Sequence, residues 1–188
     1  MSKPEFQDAL KALRNGETIL LPHDCGWCFA AEACNEKAVD QVKLLIPNAA
    51  EFTALVSDLN MLGNYIKDFP PFAADILEFA EKPTRATIPD AVKLASALLH
   101  QNQSAAFRMV QPRNEPGAFC SKLIFQFRKP LACIDIPFER APSGFAGLPS
   151  FARGFAGYIV PWFQTFEYPK AEMKQIQFNA NGTFLINS

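Results

Sequence analysis

The stretch Glu17–Asn35, ETILLPHDCGWCFAAEACN, decides how the rest of the chain is read. Its opening run, Thr18-Ile19-Leu20-Leu21, has the branched apolar character of a buried strand, and Pro22 ends it. The corner that follows packs His23, Asp24, Cys25, Trp27 and Cys28 into a short polar, sulfur-rich segment. A strand ending in such a corner places binding or reactive groups at a sheet edge. His23 reads as a polar residue at the lip of a pocket. Neighbours on an extended chain point to opposite sides, so His23 and Asp24 are not expected to act as a pair.

Cys25 and Cys28 form a C-x-x-C, which has three readings. If Phe29–Ala33 begin a helix, its N-terminus would lower a thiol pKa and suit thiol–disulfide exchange. Cys25, Cys28 and Cys34 with His23 are enough ligands for zinc. The third reading is small, inert core thiols. No second C-x-x-C and no nearby pair of histidines accompanies the motif, and five cysteines are an odd number. The expectation is reduced thiols with no metal.

Outward from this stretch, helix and strand signals alternate. Ser2 and Glu5 have capping-box spacing, Phe6, Leu10 and Leu13 share one helical face, and Gly16 supplies the stop. Asn35 can cap a helix with Ala38, Val39, Val42 and Leu45 inward and Pro47 at its end. Phe52 to Val56 reads as a short strand, Asp58 as the cap of a helix reaching Ile66, and Pro70-Pro71 as the start of one running to about Ala80. A strand is expected at Ala86 to Ile88. A helix is expected from Asp90, with Val92, Leu94, Ala95, Leu98 and Leu99 apolar. Ala105 to Val110 reads as a strand carrying Arg108, residues 117–127 as a helix and Leu131 to Ile136 as a strand. This alternation predicts an α/β fold, one twisted, open mixed sheet flanked by helices, across residues 5–137.

The last third differs. Residues 137–169 are rich in Pro, Gly and aromatic rings, which argues against long regular elements and against disorder alike. They read as a covering segment packed on the main domain or against a second subunit in a homodimer. An aromatic surface for stacking bases is the sharper reading. Residues 174–187 read as a hairpin around Asn179-Ala180-Asn181-Gly182. The whole chain, residues 1–188, is then a single domain.

Composition narrows the function classes. The 188 residues are 49% apolar and 20% charged, with a net charge of -1, so nothing global favours nucleic acid. The first residues interleave charged and apolar positions, unlike a signal peptide, and no stretch suits a membrane helix. A cytoplasmic protein with no membrane association is expected.

The order of elements resembles the Sua5/YciO/YrdC family. The resemblance rests on ILLPHD (19–24), AVDQVKLL (38–45), ALV (54–56), AAFRMV (105–110) and KPLACIDI (129–136). It implies a YrdC/RibB-like sheet with a concave pocket, and threonylcarbamoyl-adenylate synthesis feeding a tRNA modification. In the family's opening motif Pro22, Asp24 and the aromatic Trp27 match, while His23 replaces a threonine and Cys28 a glycine. Arg108 matches the arginine of a Val-Arg strand. The family's Lys-x-Arg-Pro falls on Ile46, Pro47, Asn48 and Ala49, without either cation. Its Ser/Thr-Ser-Ala-Asn falls in the run Ala132-Cys133-Ile134-Asp135.

Holding a triphosphate requires several cations, oriented N–H donors or a metal, and no Gly-rich loop substitutes for them here. The resemblance therefore implies a binding protein, for double-stranded RNA, tRNA or a nucleotide-like ligand, with the synthase chemistry reduced or lost. The pocket would be lined by His23, Asp24, Trp27 and Arg108. An active synthase using ATP as substrate, without any cofactor, is the alternative, and thiol redox chemistry at Cys25 and Cys28 the third reading.

Overall fold

The computed structural model describes residues 3–46, 51–137, 144–161, 173–179, 181 and 183–187. Helix α1 (Lys3–Arg14) turns through Gly16, whose φ of 76° suits glycine, into strand β1 (Ile19–His23). Strand β2 (Gly26–Glu32) folds straight back on β1 through a two-residue turn at Asp24 and Cys25, with His23 opposite Gly26. Next come α2 (Glu36–Leu45), β3 (Thr53–Val56), α3 (Leu59–Gly63), α4 (Pro71–Glu78) and β4 (Thr84–Ile88). Strand β5 (Ala105–Met109), α5 (Glu115–Phe127) and β6 (Leu131–Asp135) complete the main body. After them lie α6 (Ser150–Arg153), β7 (Tyr158–Ile159), β8 (Lys174–Phe178) and β9 (Phe184–Asn187).

All nine strands join one mixed sheet in the order β7-β1-β2-β6-β3-β5-β4-β8-β9. The α/β class and the single helix-flanked sheet are as the alternation predicts. The local caps also form. Asn35 accepts a hydrogen bond from the Ala38 N–H, and Asp58 accepts one from the Met61 N–H. The core between sheet and helices is continuous, from Leu13, Ile19 and Leu21 through Phe29, Val42 and Leu55 to Phe107, Leu123 and Leu131.

Neither the helix that the redox reading requires nor the one expected from Asp90 forms. Phe29–Ala33, which would begin the first, lie mainly in β2. Their alanines are helix formers, but tight pairing with β1 and β6 overrides that preference. The Asp90 segment holds only 3-10 turns at Ser96–Leu98 and Gln101–Gln103. Asp90 and Lys93 take left-handed φ angles of 55° and 61°. The backbone N–H groups here bond elsewhere: Ala91 to the Gln103 carbonyl, Val92 to that of Tyr65 and Ala95 to that of Ala33. Ala91, Leu94, Ala95 and Leu98 are buried all the same, so the apolar spacing reflects burial rather than a helical period. The Asp58 helix also stops short of Ile66, which instead bridges to Ala91.

The described part of residues 137–169 packs on the main domain. Phe155 and Phe151 sit 5.0 and 6.4 Å from the Phe29 ring, β7 pairs with β1, and the Tyr158 hydroxyl donates to the Glu5 carbonyl. Phe151 itself remains half exposed. The C-terminal hairpin forms and adds to the sheet through β4, a pairing that no sequence signal announces. Ser2, Pro47–Ala49, Phe138, Trp162, Phe163, Phe166, Tyr168, Ala180 and Gly182, each assigned a role by sequence, lie outside the described residues.

Helix α5 sits hard against the turn after β1. A Cβ on Gly117 would run into the Gln111 carbonyl oxygen, and at 2.9 Å into Asn114 Oδ1 and Asp24 Cβ. Gly117→Ala is therefore expected to destabilise the protein by about 1–3 kcal/mol, as overpacking of a tight contact does. Urea denaturation checks this, and an unchanged midpoint would contradict the close packing.

Candidate functional site

The turn after β1 reverses the chain so sharply that His23 and Asp24 converge. His23 Nδ1 and Asp24 Oδ1 lie 3.4 Å apart. Arg108, from β5, reaches both of them. Its Nη1 donates to Asp24 Oδ1 at 2.6 Å and to Cys25 Sγ at 3.1 Å, and its Nη2 donates to His23 Nδ1 at 3.0 Å. From β6, Asp135 Oδ1 lies 2.9 Å from His23 Nε2, and Cys133 donates to the same oxygen at 3.3 Å. Asn114, the cap of α5, donates to the Asp24 carbonyl and accepts from the Gly117 N–H. The result is a connected polar cluster at the heart of the domain.

Strand register explains the convergence. Directly opposed residues share a face of the sheet. Leu21 opposes Cys28, Cys28 opposes Asp135, Thr53 opposes Cys133 and Arg85 opposes Arg108. One face therefore carries Cys28, Cys133, Asp135, Thr53, Arg85 and Arg108. Strands β1 and β5 stand four places apart in the order, about 19 Å if the sheet were flat. Contact between Arg108 and His23 means that the sheet curls over this face.

The sequence-derived site residues divide. His23, Asp24, Cys25 and Arg108 come together. Trp27 does not join them, because it alternates with Cys28 and so points to the opposite face of β2. His23 is 1% exposed and Asp24 4%, so neither sits at the lip of an opening. Cys28 lies on the cluster's face but turns away from Cys25 and toward Cys133. The C-x-x-C straddles a hairpin turn, not a helix N-terminus. All five cysteines are free thiols. Sequence reasoning passed over Asp135 and Cys133. The i, i+2 spacing of two ligating residue types on a predicted strand was the available signal.

The charges are strongly coupled. Burial opposes ionisation of Asp24, but Arg108 and then His23 outweigh it and hold its carboxyl far below the usual range. Asp135 is likewise held far down, by His23 and Arg108 against burial. Its side chain is 46% exposed, so solvent shares in that stabilisation. Burial and Arg108 oppose a charge on His23, whereas Asp135 and Cys28 favour one, and the sum lies on the raised side. The donors decide otherwise for the arrangement seen here. Nδ1 receives both the Cys25 backbone N–H and the Arg108 guanidinium, so it carries no proton. We assign the ring as the neutral Nε2–H tautomer, donating to Asp135. Burial also opposes a thiolate at Cys28, but the Cys133 hydrogen bond favours one, as a charge on His23 would, and together they lower its pKa. Burial and then Cys28 push Cys133 well up, so the two thiols share a single ionisation.

Among the described residues, three surface clefts have linings that include none of His23, Asp24, Trp27 and Arg108. One, of about 300 Å³, adjoins the curled face at β4 and β8. It is lined by Glu51, Arg85, Thr87, His100, Ser104 and glutamines of β8. Arg85 donates to Thr53 Oγ1 at 3.0 Å and to Glu51 at 2.9 Å. His100 Nε2 is buried without a partner among the described residues.

Two outcomes follow from the cluster. Arg108→Ala leaves Asp24 buried and uncompensated and is expected to cost about 3–5 kcal/mol, measured by denaturant unfolding. Asp24 and Asp135 have folded pKa values below their unfolded value of about 3.9, so the stability they supply is complete above about pH 5. It should be lost progressively as pH falls below about 4. Melting temperatures across pH 2–7 check this, and Asp24→Asn should flatten the acid limb.

No protein-family model and no curated protein sequence matches the chain. Solved structures do. E. coli YciO superposes with a TM-score of 0.73 at 16% identity, over 98% of this chain and 88% of that one. P. abyssi Sua5 complexed with L-threonine gives 0.71 at 17% identity, over 95% of this chain and 52% of that one. Full-length HypF in a phosphate- and nucleotide-bound form gives 0.68 at 14% identity, over 97% of this chain and 28% of that one. The chain thus spans about half the length of the Sua5 chains it matches. No helix among the described residues is long and apolar enough to cross a membrane. A nine-stranded mixed sheet flanked by helices, superposing over nearly the whole chain, gives this protein the YrdC-like fold of YciO, Sua5 and the matching part of HypF.

Proposed function

We propose that this protein binds a phosphorylated nucleoside, free or as part of an RNA, and that threonylcarbamoyl-adenylate synthesis is reduced or lost in it. The observation that carries this reading is the state of Arg108. It is the one cation of the family pattern that the chain keeps, and it is 1% exposed and already paired with Asp24, with further bonds to His23 and Cys25. A phosphate or carboxylate could take it only by leaving Asp24 buried without its partner, at a cost of several kcal/mol. Asp135 and Cys133 add negative charge or thiol where polar neutral groups are expected, which disfavours an anionic substrate there.

The cleft beside Arg85 is the better ligand recess. Its volume of about 300 Å³ is at the lower end for small-molecule sites and matches a nucleotide or smaller. Arg85 faces an exposed carboxylate, Glu51, that an incoming phosphate can displace at little cost. His100, Thr87 and Ser104 supply further polar contacts. Neighbours of the same fold hold L-threonine and nucleotide, which supports a ligand of this class. A reducing, cytoplasmic setting suits a protein with unpaired cysteines.

Incubation with ATP, L-threonine and bicarbonate is expected to release no pyrophosphate above background. Threonine-dependent release that disappears in Arg108→Ala would establish the synthase reading instead. In thermal shift, AMP, ATP or tRNA should raise the melting temperature, with about 2.7 kcal/mol of stabilisation at a hundredfold excess over Kd. Arg85→Ala should remove that shift. A melting temperature indifferent to all of these ligands would overturn the binding reading.

A further inference from the structure

We propose that His23, Cys28, Cys133 and Asp135 form a zinc site. One ligand atom from each, the imidazole nitrogen, two thiol sulfurs and a carboxylate oxygen, lies within 4.8 Å of all the others. In a tetrahedral zinc centre, bond lengths of about 2.0–2.3 Å place the ligand atoms about 3.3–3.8 Å apart. Small side-chain rotations therefore bring all four onto one ion. Two of the edges are already short, at 2.9 Å between His23 and Asp135 and 3.3 Å between Cys133 and Asp135.

The scaffold favours the site. The four residues come from β1, β2 and β6, which are adjacent in the sheet, and register puts them on one face. Ligands on paired strands are held more accurately than ligands on loops. Two sulfurs with an imidazole and a carboxylate select zinc over magnesium or calcium, which take oxygen. His23, Cys28 and Cys133 are buried, while Asp135 is 46% exposed and opens the route of entry.

The surroundings complete it. With zinc at Nε2, the ring proton moves to Nδ1, both donors now on that nitrogen, the Cys25 N–H and Arg108, give way, and Asp24 Oδ1 at 3.4 Å becomes its acceptor. That is the carboxylate–histidine–metal relay that fixes a metal-bound imidazole. The two thiol protons leave to solvent. Arg108, displaced from Nδ1 but still bound to Asp24, offsets the excess negative charge of two thiolates and a carboxylate on one zinc ion. A second trio, His23, Asp24 and Cys25, also has ligand spacing, but its cation position is taken, because Arg108 bonds to all three. The site therefore uses one cysteine of the C-x-x-C and finds the other across the sheet, which is why the motif alone pointed away from metal.

The test is metal uptake by the full chain, reduced and stripped of metal, then supplied with zinc or cobalt(II). Elemental analysis should find about one zinc per chain after desalting, and cobalt should give tetrahedral d–d bands with thiolate charge transfer. Cys133→Ser should remove the charge-transfer contribution of one sulfur. Asp135→Asn, a near-isosteric change at a half-exposed position, should weaken zinc affinity by at least about tenfold. Cys25→Ser should leave uptake unchanged. Zinc should raise the melting temperature of the wild-type chain and not that of Asp135→Asn. The proposal is overturned by failure of the reduced protein to take up either ion at excess. It is equally overturned if Cys25→Ser abolishes uptake while Cys133→Ser and Asp135→Asn do not, or if Cys28 and Cys133 form a disulfide whose reduction restores no binding.

Discussion

One guanidinium ties together parts of the chain that nothing local connects. Arg108 projects from β5 and meets the turn after β1, four strands away in the sheet order. The sheet has to curl for that contact to exist, and Cys28, Cys133, Asp135, Thr53 and Arg85 share the face it curls over. Removing Arg108 and Asp24 from water costs several kcal/mol for each, so the pair is tolerable only with its hydrogen bonds complete. His23 and Cys25 accept further bonds from Arg108, and Asn114 donates to the backbone carbonyl of Asp24. The Asn114 cap then passes the constraint on to α5, whose Gly117 has no room for a side chain.

Burial of that pair shapes the chemistry. Arg108 is 1% exposed and gives three of its five N–H groups to Asp24, Cys25 and His23, so an incoming phosphate would have to compete with Asp24 for it. The fold of YciO and Sua5 is present, with this arginine drawn into a buried cluster. Ligand chemistry, on our two proposals, falls in two neighbouring places. The Arg85 cleft keeps a cation against an exposed, displaceable carboxylate, which suits a phosphate. The His23–Asp135 side gathers nitrogen, sulfur and oxygen donors, which suits a soft divalent cation.

The fold was largely legible because its signals are local. Asn35 and Asp58 cap helices through bonds to residues three positions away, and Gly16 turns the chain with its own φ. Such features need no tertiary partner, so residue order is enough to place them. The apolar run from Val92 to Leu99 shows where that logic ends. Its side chains are buried as the pattern requires, yet its N–H groups bond to residues as distant as Ala33, so burial arrives without a helix.

The sequence by itself determined the α/β class, most of the strands and the C-terminal hairpin, and it drew attention to the corner at His23 and Asp24. It identified Arg108 as a residue to watch. Only the tertiary structure decided what these residues do to one another. Asp24 and Arg108 are 84 positions apart, and His23 and Asp135 are 112 apart. No periodicity reaches across such distances. The pairing of β2 with β6, the curl of the sheet and a two-residue turn that overrides strand alternation set those contacts. The physical reason is that caps and turns close within a few bonds, whereas a buried polar cluster exists only once the sheet has excluded water from it.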